Sequence, residues 1–497
     1  MSGALLALAF PPCGVAWLAP LALVPWIAAL FAETGRRRAL GSGVVFGLVF
    51  WCASIPWIAF VVTHFGGQPG WMGPVCVFLL AAILAEWPAL VAWTLVSAVP
   101  ARSPWRLAAF PVLWMASEHA RSVVYKGFPW NLTANALADH PRWLQTASWW
   151  GAYGVGALVA AAGALIVAAA VARTPRGRIA AIAALVAGAI LVGVGGTRAL
   201  ARPEVAAGAP VRIACVQPNV PQVVRETADG AARQYATVID AIRGAARSGP
   251  DLILVPESSF YGVTWQRSPV LQADLSAIAR ESGASILFND LDEQNADAYY
   301  NAARLVTPTG LASATYRKVH LVPFGEYVPL PRLFFFMKSV SQAVGAFSAA
   351  KAPVVIPSGR LVLGPAICYE MTYPSLPRRE TRDGANLLVT ISNDAWYGKA
   401  GAQEQHFAAM VLRAIENGRP FARAAITGIS GVVDARGRVV ARLGADVSGV
   451  VDAAVAPRSA RTIWTRWGGA VFPAAADLVA IGMVLSAIVR LRRGIRP

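Results

Sequence analysis

Over its first two hundred residues the chain alternates long apolar runs with short arginine clusters, and then the pattern changes. The runs cover 3–12 and 15–32, which Pro11 and Pro12 divide, then 39–62, 72–98, 105–119, 147–172 and 179–199; a last one follows at 469–491. A helix needs about 20 mostly apolar residues to cross a bilayer. The pattern predicts a membrane α-helical bundle of about eight transmembrane helices, the first two forming a hairpin whose opening arm is short. No Lys or Arg precedes the first run. The charged start of a cleaved signal peptide is missing, and the segment is expected to be retained.

From about 205 to 460 the runs shorten. "VRIACVQPNV", "DLILVPESS", "ASILFND", "LVLGPAICYE" and "NLLVTISND" are apolar, β-branched stretches that end in polar residues, as strands do. Between them, 231–247 and 403–417 carry helical spacing. Strands alternating with helices argue an α/β domain, and functional residues in such domains gather past the carboxyl ends of strands. The expected organisation is seven transmembrane helices within 1–200, an α/β domain at 205–460, and a C-terminal transmembrane helix with a basic tail at 466–497.

Composition supports the membrane reading. Of 497 residues, 56% are hydrophobic and 14% charged, against roughly 25% charged in an average soluble domain. The net charge of +17 would suit nucleic acid only if the basic residues gathered on a soluble face. Here they cluster between apolar runs: Arg36, Arg37 and Arg38; Arg102 and Arg106; Arg173, Arg176 and Arg178; and Arg490, Arg492, Arg493 and Arg496. With eight spans all four clusters fall on one side, which the positive-inside rule makes cytoplasmic. The α/β domain then lies outside. Nucleic acid is excluded as a partner.

Five cysteines occur, Cys13, Cys52, Cys76, Cys215 and Cys368. None has C-x-x-C spacing, and neither a metal site nor a disulfide framework is expected. Cys13, Cys52 and Cys76 lie in or beside apolar spans, and Cys215 inside a strand-like run.

Three positions in the outer domain carry chemistry: Glu257 in "LILVPES", Lys318 in "YRKVHLVPFGEYVP", and Cys368 in "GPAICYE". Taken singly, a strand-end Glu is commonly a capping residue, a Lys beside Tyr a surface residue, and a Cys a small buried hydrophobe. Together they complement one another. A thiol at neutral pH is only a few per cent thiolate and needs a base. A carboxylate beside it opposes ionisation, and a Lys ammonium offsets that repulsion and can then hold an oxyanion.

"PES", "YRKVHLVPFGEYVP" and "CYE", in that order, resemble the Glu-Lys-Cys triad of the nitrilase superfamily of carbon–nitrogen hydrolases. The string "KVHLVPFGEYVP" is similar to that of its membrane-embedded branch, the bacterial apolipoprotein N-acyltransferases. "FPWN" (128–131), "YNAARL" (300–305), "SNDAWYG" (392–398) and 413–437 extend the resemblance over nearly the whole chain. It implies an α/β nitrilase-like αββα sandwich on eight membrane helices, outside the cytoplasmic (inner) membrane of a bacterium. Glu257, Lys318 and Cys368 match the family triad, and Glu326, Tyr369 and Glu370 match supporting residues. The implied reaction is ping-pong, through a Cys thioester. A fatty acyl chain moves from a phospholipid donor to the α-amine of the N-terminal diacylglyceryl-cysteine of an apolipoprotein. No cofactor is implied, and a monomer is expected. One departure stands out: members often carry a tryptophan shortly after "VQ-x-N-V-P-Q", near Glu226 here.

Both substrates keep their chains in the bilayer, so the site is expected to open towards it. Leu333, Phe334, Phe335, Phe336 and Met337 are candidates for an arm in the lipid interface, since five consecutive large apolar residues exceed one helix face. Trp396 and Tyr397 are candidates for lining an acyl channel, and His320 for a packed residue rather than a base. An alternative within the same chemistry is a membrane-anchored amidase, with water as the second acceptor. Glu86 and Asp477 fall inside predicted spans, where acids mark function by default. They suggest a transporter with an external cap, but two acids without basic partners make a thin ion path and leave the triad unexplained.

Overall fold

The computed structural model describes all residues except 204–207, 222–227, 296–297, 328–346 and 494–497. Two compact units emerge: one of residues 1–202, 399–416 and 462–497, the other of 203–398 and 417–461. The helix Ala402–Asn417 thus falls almost wholly in the first unit, although it lies within the α/β stretch of the sequence. Glu226 and the Leu333–Met337 arm lie outside the described residues.

The first unit is helical. Among the described residues, four helices are long and apolar enough to cross a bilayer: Met72–Ala98, Ala147–Val171, Pro175–Ala201 and Val471–Arg492. The pair Arg36–Ser54 and Trp57–Phe65, bent by 58°, makes a fifth if counted as one span. That is fewer than the eight expected. The opening helix is Ser2–Leu8, only ~10 Å long at 1.5 Å per residue. Leu18–Ala32 has 15 residues, and Pro104–Val123 carries Arg106, Glu118 and Arg121.

Close packing here depends on small residues. A side chain at Gly43 would come within 2.5 Å of the Ala89 Cα, and one at Gly47 within 2.6 Å of the Ala85 Cα. Only glycine lets Arg36–Ser54 press against Glu86–Ala98 this closely. Trp26 stacks on Phe46 at 4.3 Å between ring centroids, and Phe110 and Trp114 pack beside them. Arg106, counted above as a loop charge, is buried. Its guanidinium donates to the carbonyls of Leu30 (2.7 Å), Glu33 (2.5 Å) and Val99 (2.9 Å). A cation is thus placed at two helix C-termini, where unpaired carbonyls favour it. Asp477 does have a basic partner: its Oδ2 lies 2.8 Å from His119 Nδ1. The expectation that both intramembrane acids stand without one is corrected at this position.

The second unit is a sandwich of two six-stranded sheets. The strands are β1 (Val211–Gln217), β2 (Leu252–Leu254), β3 (Ser285–Asn295), β4 (Ala298–Val306), β5 (Ala312–Arg317), β6 (Ile356–Ser358), β7 (Leu361–Ile367), β8 (Leu387–Ser392), β9 (Phe421–Ala425), β10 (Ser430–Val433), β11 (Val439–Leu443) and β12 (Gly449–Val455). One sheet runs β12-β1-β2-β3-β4-β5, the other β11-β10-β9-β8-β7-β6. The central trios β1-β2-β3 and β7-β8-β9 are parallel.

Strands buried on both faces read as continuous apolar runs, which explains the sequence. Val211, Ile213 and Cys215 point between the sheets towards Leu363, Ile367 and Val389. The alternate residues Ala214 and Val216 point outward onto Val238, Ile242, Leu271 and Leu275 of the helices Ala228–Ala246 and Pro269–Ser282. On the other sheet, a side chain at Gly364 would meet Glu380 Cβ at 3.1 Å, so Ser375–Arg382 lies close over β7.

Candidate active site

The ends of four strands, three of them from the parallel trios, deliver their following residues to one place. Glu257 follows β2, Lys318 follows β5, Cys368 follows β7 and Asn393 follows β8. Cys368 opens a short 3₁₀ turn, Cys368–Thr372, with φ of +54°. A non-glycine residue held in that left-handed region is strained by about 1–3 kcal/mol and persists only where its surroundings over-determine it.

Glu370 supplies the restraint. Its Oε2 accepts from the Ile367 N–H and the Tyr316 hydroxyl, both at 2.9 Å. Its Oε1 accepts from the N–H groups of Val319 (2.7 Å) and His320 (2.9 Å). One buried carboxylate therefore ties the end of β7 to the segment just after Lys318. Burial pushes Glu370 up to about 7, against the pull of the Lys318 charge and its backbone donors.

Lys318 is 1% exposed. Its ammonium lies 2.9 Å from Glu326 Oε1 and 3.7 Å from Glu257 Oε1. Two carboxylates outweigh the desolvation that disfavours a buried cation, and the lysine is held above its ordinary value. Glu257 moves upward too, chiefly because it is buried, although Lys318, Asn301 and the Asn393 N–H all favour its charge. Cys368 is pushed up to about 12 by burial and then by Glu257, with Lys318 opposing. The resting site therefore holds a neutral thiol beside an ionised lysine, with a buried carboxylate in electrostatic reach of both.

Asn301, which the sequence marks only as part of the string "YNAARL", sits at the centre. Its Nδ2 donates to Glu257 Oε1 and to Glu326 Oε1, both at 2.8 Å. Asn289 Nδ2 donates to its Oδ1, also at 2.8 Å. The Asn393 N–H donates to Glu257 Oε2 at 3.0 Å, fixing the other oxygen. The available signal was position alone: Asn301 lies in β4, next to β5, and Asn393 directly after β8. Neither residue type announces a role.

Tyr397 is buried with its hydroxyl 3.8 Å from Cys368 Sγ. Its polar end is at the thiol, which a purely channel-lining aromatic does not require. Trp396 is half-buried on the same turn. Tyr369 meets Tyr373 edge to face at 5.3 Å. His320 stacks on Tyr373 at 4.0 Å and is lowered by burial to about 4, so it is neutral and packed. Among the described residues no group of His, Cys, Asp and Glu has the arrangement of a metal site.

Residues 212–463 match the Carbon-nitrogen hydrolase family, and residues 2–165 match the Apolipoprotein N-acyltransferase N-terminal domain. An apolipoprotein N-acyltransferase of Geobacter metallireducens is 34% identical over 450 residues, 88% of this chain and 85% of that protein. One of Ralstonia nicotianae is 30% identical over 502 residues, covering 99% and 92%. Among solved structures, an amidase from Nesterenkonia sp. is 22% identical and covers 52% of this chain and 94% of its own, with a TM-score of 0.40. With relatives matched along both its helical and its sandwich part, the chain belongs to the apolipoprotein N-acyltransferase family of carbon–nitrogen hydrolases.

Proposed function

We propose that this enzyme transfers a fatty acyl chain from a membrane phospholipid to the α-amine of the N-terminal diacylglyceryl-cysteine of apolipoproteins. Glu257, Lys318 and Cys368 carry the reaction. Glu257 takes the thiol proton as the sulfur attacks the ester carbonyl. Lys318 balances the charge that develops on the carbonyl oxygen. The tetrahedral intermediate expels the lysophospholipid alkoxide, which Glu257 reprotonates, and a thioester remains on Cys368. The acceptor amine, with an ordinary pKa near 7.7–8.0, must lose a proton to attack. That first proton goes to solvent; as the C–N bond forms the nitrogen sheds a second, which Glu257 takes and delivers to the departing Cys368 thiolate.

The observation that carries this reading is the buried thiol held at positive φ within electrostatic reach of the buried Glu257 carboxylate and the buried Lys318 ammonium. Glu326 and Asn301 hold Lys318 and Glu257 in place, and Glu370 holds the thiol-bearing turn. Tyr369 supports that turn by packing.

The finer topology belongs to the same proposal. Eight apolar segments keep every arginine cluster on the cytoplasmic side of the inner membrane, and the sandwich then faces outward as a monomer. The Leu333–Met337 arm and Trp396 would contact acyl chains there.

The test is the intact mass of purified protein incubated with phospholipid, then with a diacylglyceryl-cysteinyl peptide. The expected result is a fatty-acyl adduct that moves to the peptide amine. An adduct lost only to water would instead make the protein a membrane-anchored hydrolase.

A further inference from the structure

The helix Pro175–Ala201 is the least covered of the long apolar helices: only 6% of its most apolar stretch is buried within the protein. One stretch of it is nevertheless shaped. A short turn, Pro141–Trp143, lies against it at Gly193 and Gly196. A side chain at Gly196 would come within 1.7 Å of the Arg142 carbonyl oxygen, and one at Gly193 within 3.0 Å of the Trp143 ring. Gly196 must be bare for the turn to seat, whereas a side chain at Gly193 would need the Trp143 ring to shift by a few tenths of an ångström. Beside this contact runs an open groove of about 530 Å³, lined by Val186, Ala189, Ile190 and Val194 along its length and by Arg142 and Arg198.

The order of these residues along the helix is informative. From Val186 to Arg198 the groove extends ~18 Å at 1.5 Å per residue, over half of the ~30 Å hydrocarbon thickness. Arg198 stands three residues from the helix end, past the apolar stretch that forms the wall of the groove. Trp143 accompanies the arginines, its ring 5.2 Å from the Arg142 guanidinium carbon. Tryptophan favours the membrane interface. A charged rim over an apolar trough has the profile of a phospholipid. Its lining holds two cations and no carboxylate, a charge balance complementary to a negatively charged headgroup.

We propose that this groove is a binding site for one anionic phospholipid, its phosphate between Arg142 and Arg198 and an acyl chain along Val186–Val194. The site lies wholly within the helical unit and does not depend on the assignment of the catalytic residues. Basic positions at a membrane interface hold acidic lipid by roughly fivefold each.

Native mass spectrometry of the full-length protein in detergent, with equimolar phosphatidylglycerol and phosphatidylcholine, tests this. The wild type is expected to retain one phosphatidylglycerol in preference. The double variant Arg142→Gln/Arg198→Gln is expected to lose that preference by on the order of tenfold or more. Ala189→Trp, which fills the exposed trough, is expected to remove the bound lipid altogether. Cys368→Ala, unable to form an acyl adduct, is expected to keep it, which separates this site from the catalytic one. Equal retention of both lipids by the wild type, or an unchanged preference in the double variant, would overturn the proposal.

Discussion

Two buried thiols in the sandwich are raised for the same main reason but sit in different surroundings. Cys215, in the middle of β1, and Cys368, at the end of β7, are both pushed up to about 12, in each case chiefly by burial. Cys215 faces Ile213-type neighbours between the sheets on ordinary extended backbone. Cys368 sits at positive φ, with Glu257 and Lys318 next in influence after burial. With Cys368 proposed as the nucleophile, a low resting pKa is not what sets it apart from Cys215. What differs is whether a base and a cation are placed to change the thiol's charge when substrate arrives.

The largest effect expected from this contrast is at the two cysteines themselves. Cys368→Ala should abolish the acyl adduct seen by intact mass while leaving the protein folded. Cys215→Ala should leave acylation within about twofold and cost on the order of 1 kcal/mol of stability. Equal losses at both positions would mean that Cys368 matters only for packing.

Next comes the base. Glu257→Gln should slow acylation by about 10²–10⁴-fold, the range for a positioned general base. The pH dependence follows from the direction of the shift. Glu257 is raised above the ordinary carboxylate range, and only its ionised form accepts the thiol proton. Acylation should therefore fall as pH is lowered through that raised value, at a higher pH than for an ordinary glutamate. The acid limb should vanish in Glu257→Gln. A wild-type profile flat down to the ordinary carboxylate range of about 4 would contradict the assignment.

Glu370 sharpens the comparison on the backbone side, because Cys215 has no counterpart to it. Glu370→Gln replaces a four-fold acceptor by a group with one acceptor oxygen. The new amide must face two of the four donors, Ile367 N–H, Tyr316 O–H, Val319 N–H and His320 N–H. Leaving buried donors unpaired costs about 1–3 kcal/mol each. A drop of that order in denaturant stability, together with slower acylation, is expected. A variant that keeps full stability would show that the turn does not depend on this carboxylate.

How far these residues could be read from the sequence follows from what each one does. Glu257 stands three residues past β2, and Lys318 and Cys368 directly after β5 and β7, so strand ends and residue chemistry make all three candidates. The sandwich was legible for the same reason, since doubly buried strands leave unbroken apolar runs. Asn301 was not, because an amide bridging two carboxylates depends on β4 and β5 pairing, a contact no local pattern encodes. The membrane part was legible as apolar length alone. That measure marks more segments than the helices that pass on length and apolarity, because Ser2–Leu8 is short and Pro104–Val123 carries buried charges such as Arg106, whose partners are carbonyls of other helices. Helix Ala402–Asn417 was assigned by its neighbours in sequence, and its packing instead groups most of it with the helical unit.

The smallest expected effect is the most discriminating about the thiol's surroundings. Tyr397 was read as a channel wall, and an aromatic ring serves that purpose with or without its hydroxyl. Its oxygen, however, lies 3.8 Å from Cys368 Sγ, long for a bond to a neutral thiol but within reach of a sulfur that gains charge. Burial and the neighbouring Cys368 and Asp394 hold the phenol well above its ordinary value, so it stays protonated and can donate. A neutral donor contributes roughly 0.5–1.5 kcal/mol, and Tyr397→Phe should therefore slow acylation by about 2- to 10-fold. Because the ring is kept, the dependence of the rate on lipid concentration should not move. A change in apparent lipid affinity with an unaltered maximal rate would return Tyr397 to the channel wall; a loss confined to the maximal rate would place its hydroxyl on the sulfur's side of the chemistry, where Cys215 has nothing equivalent.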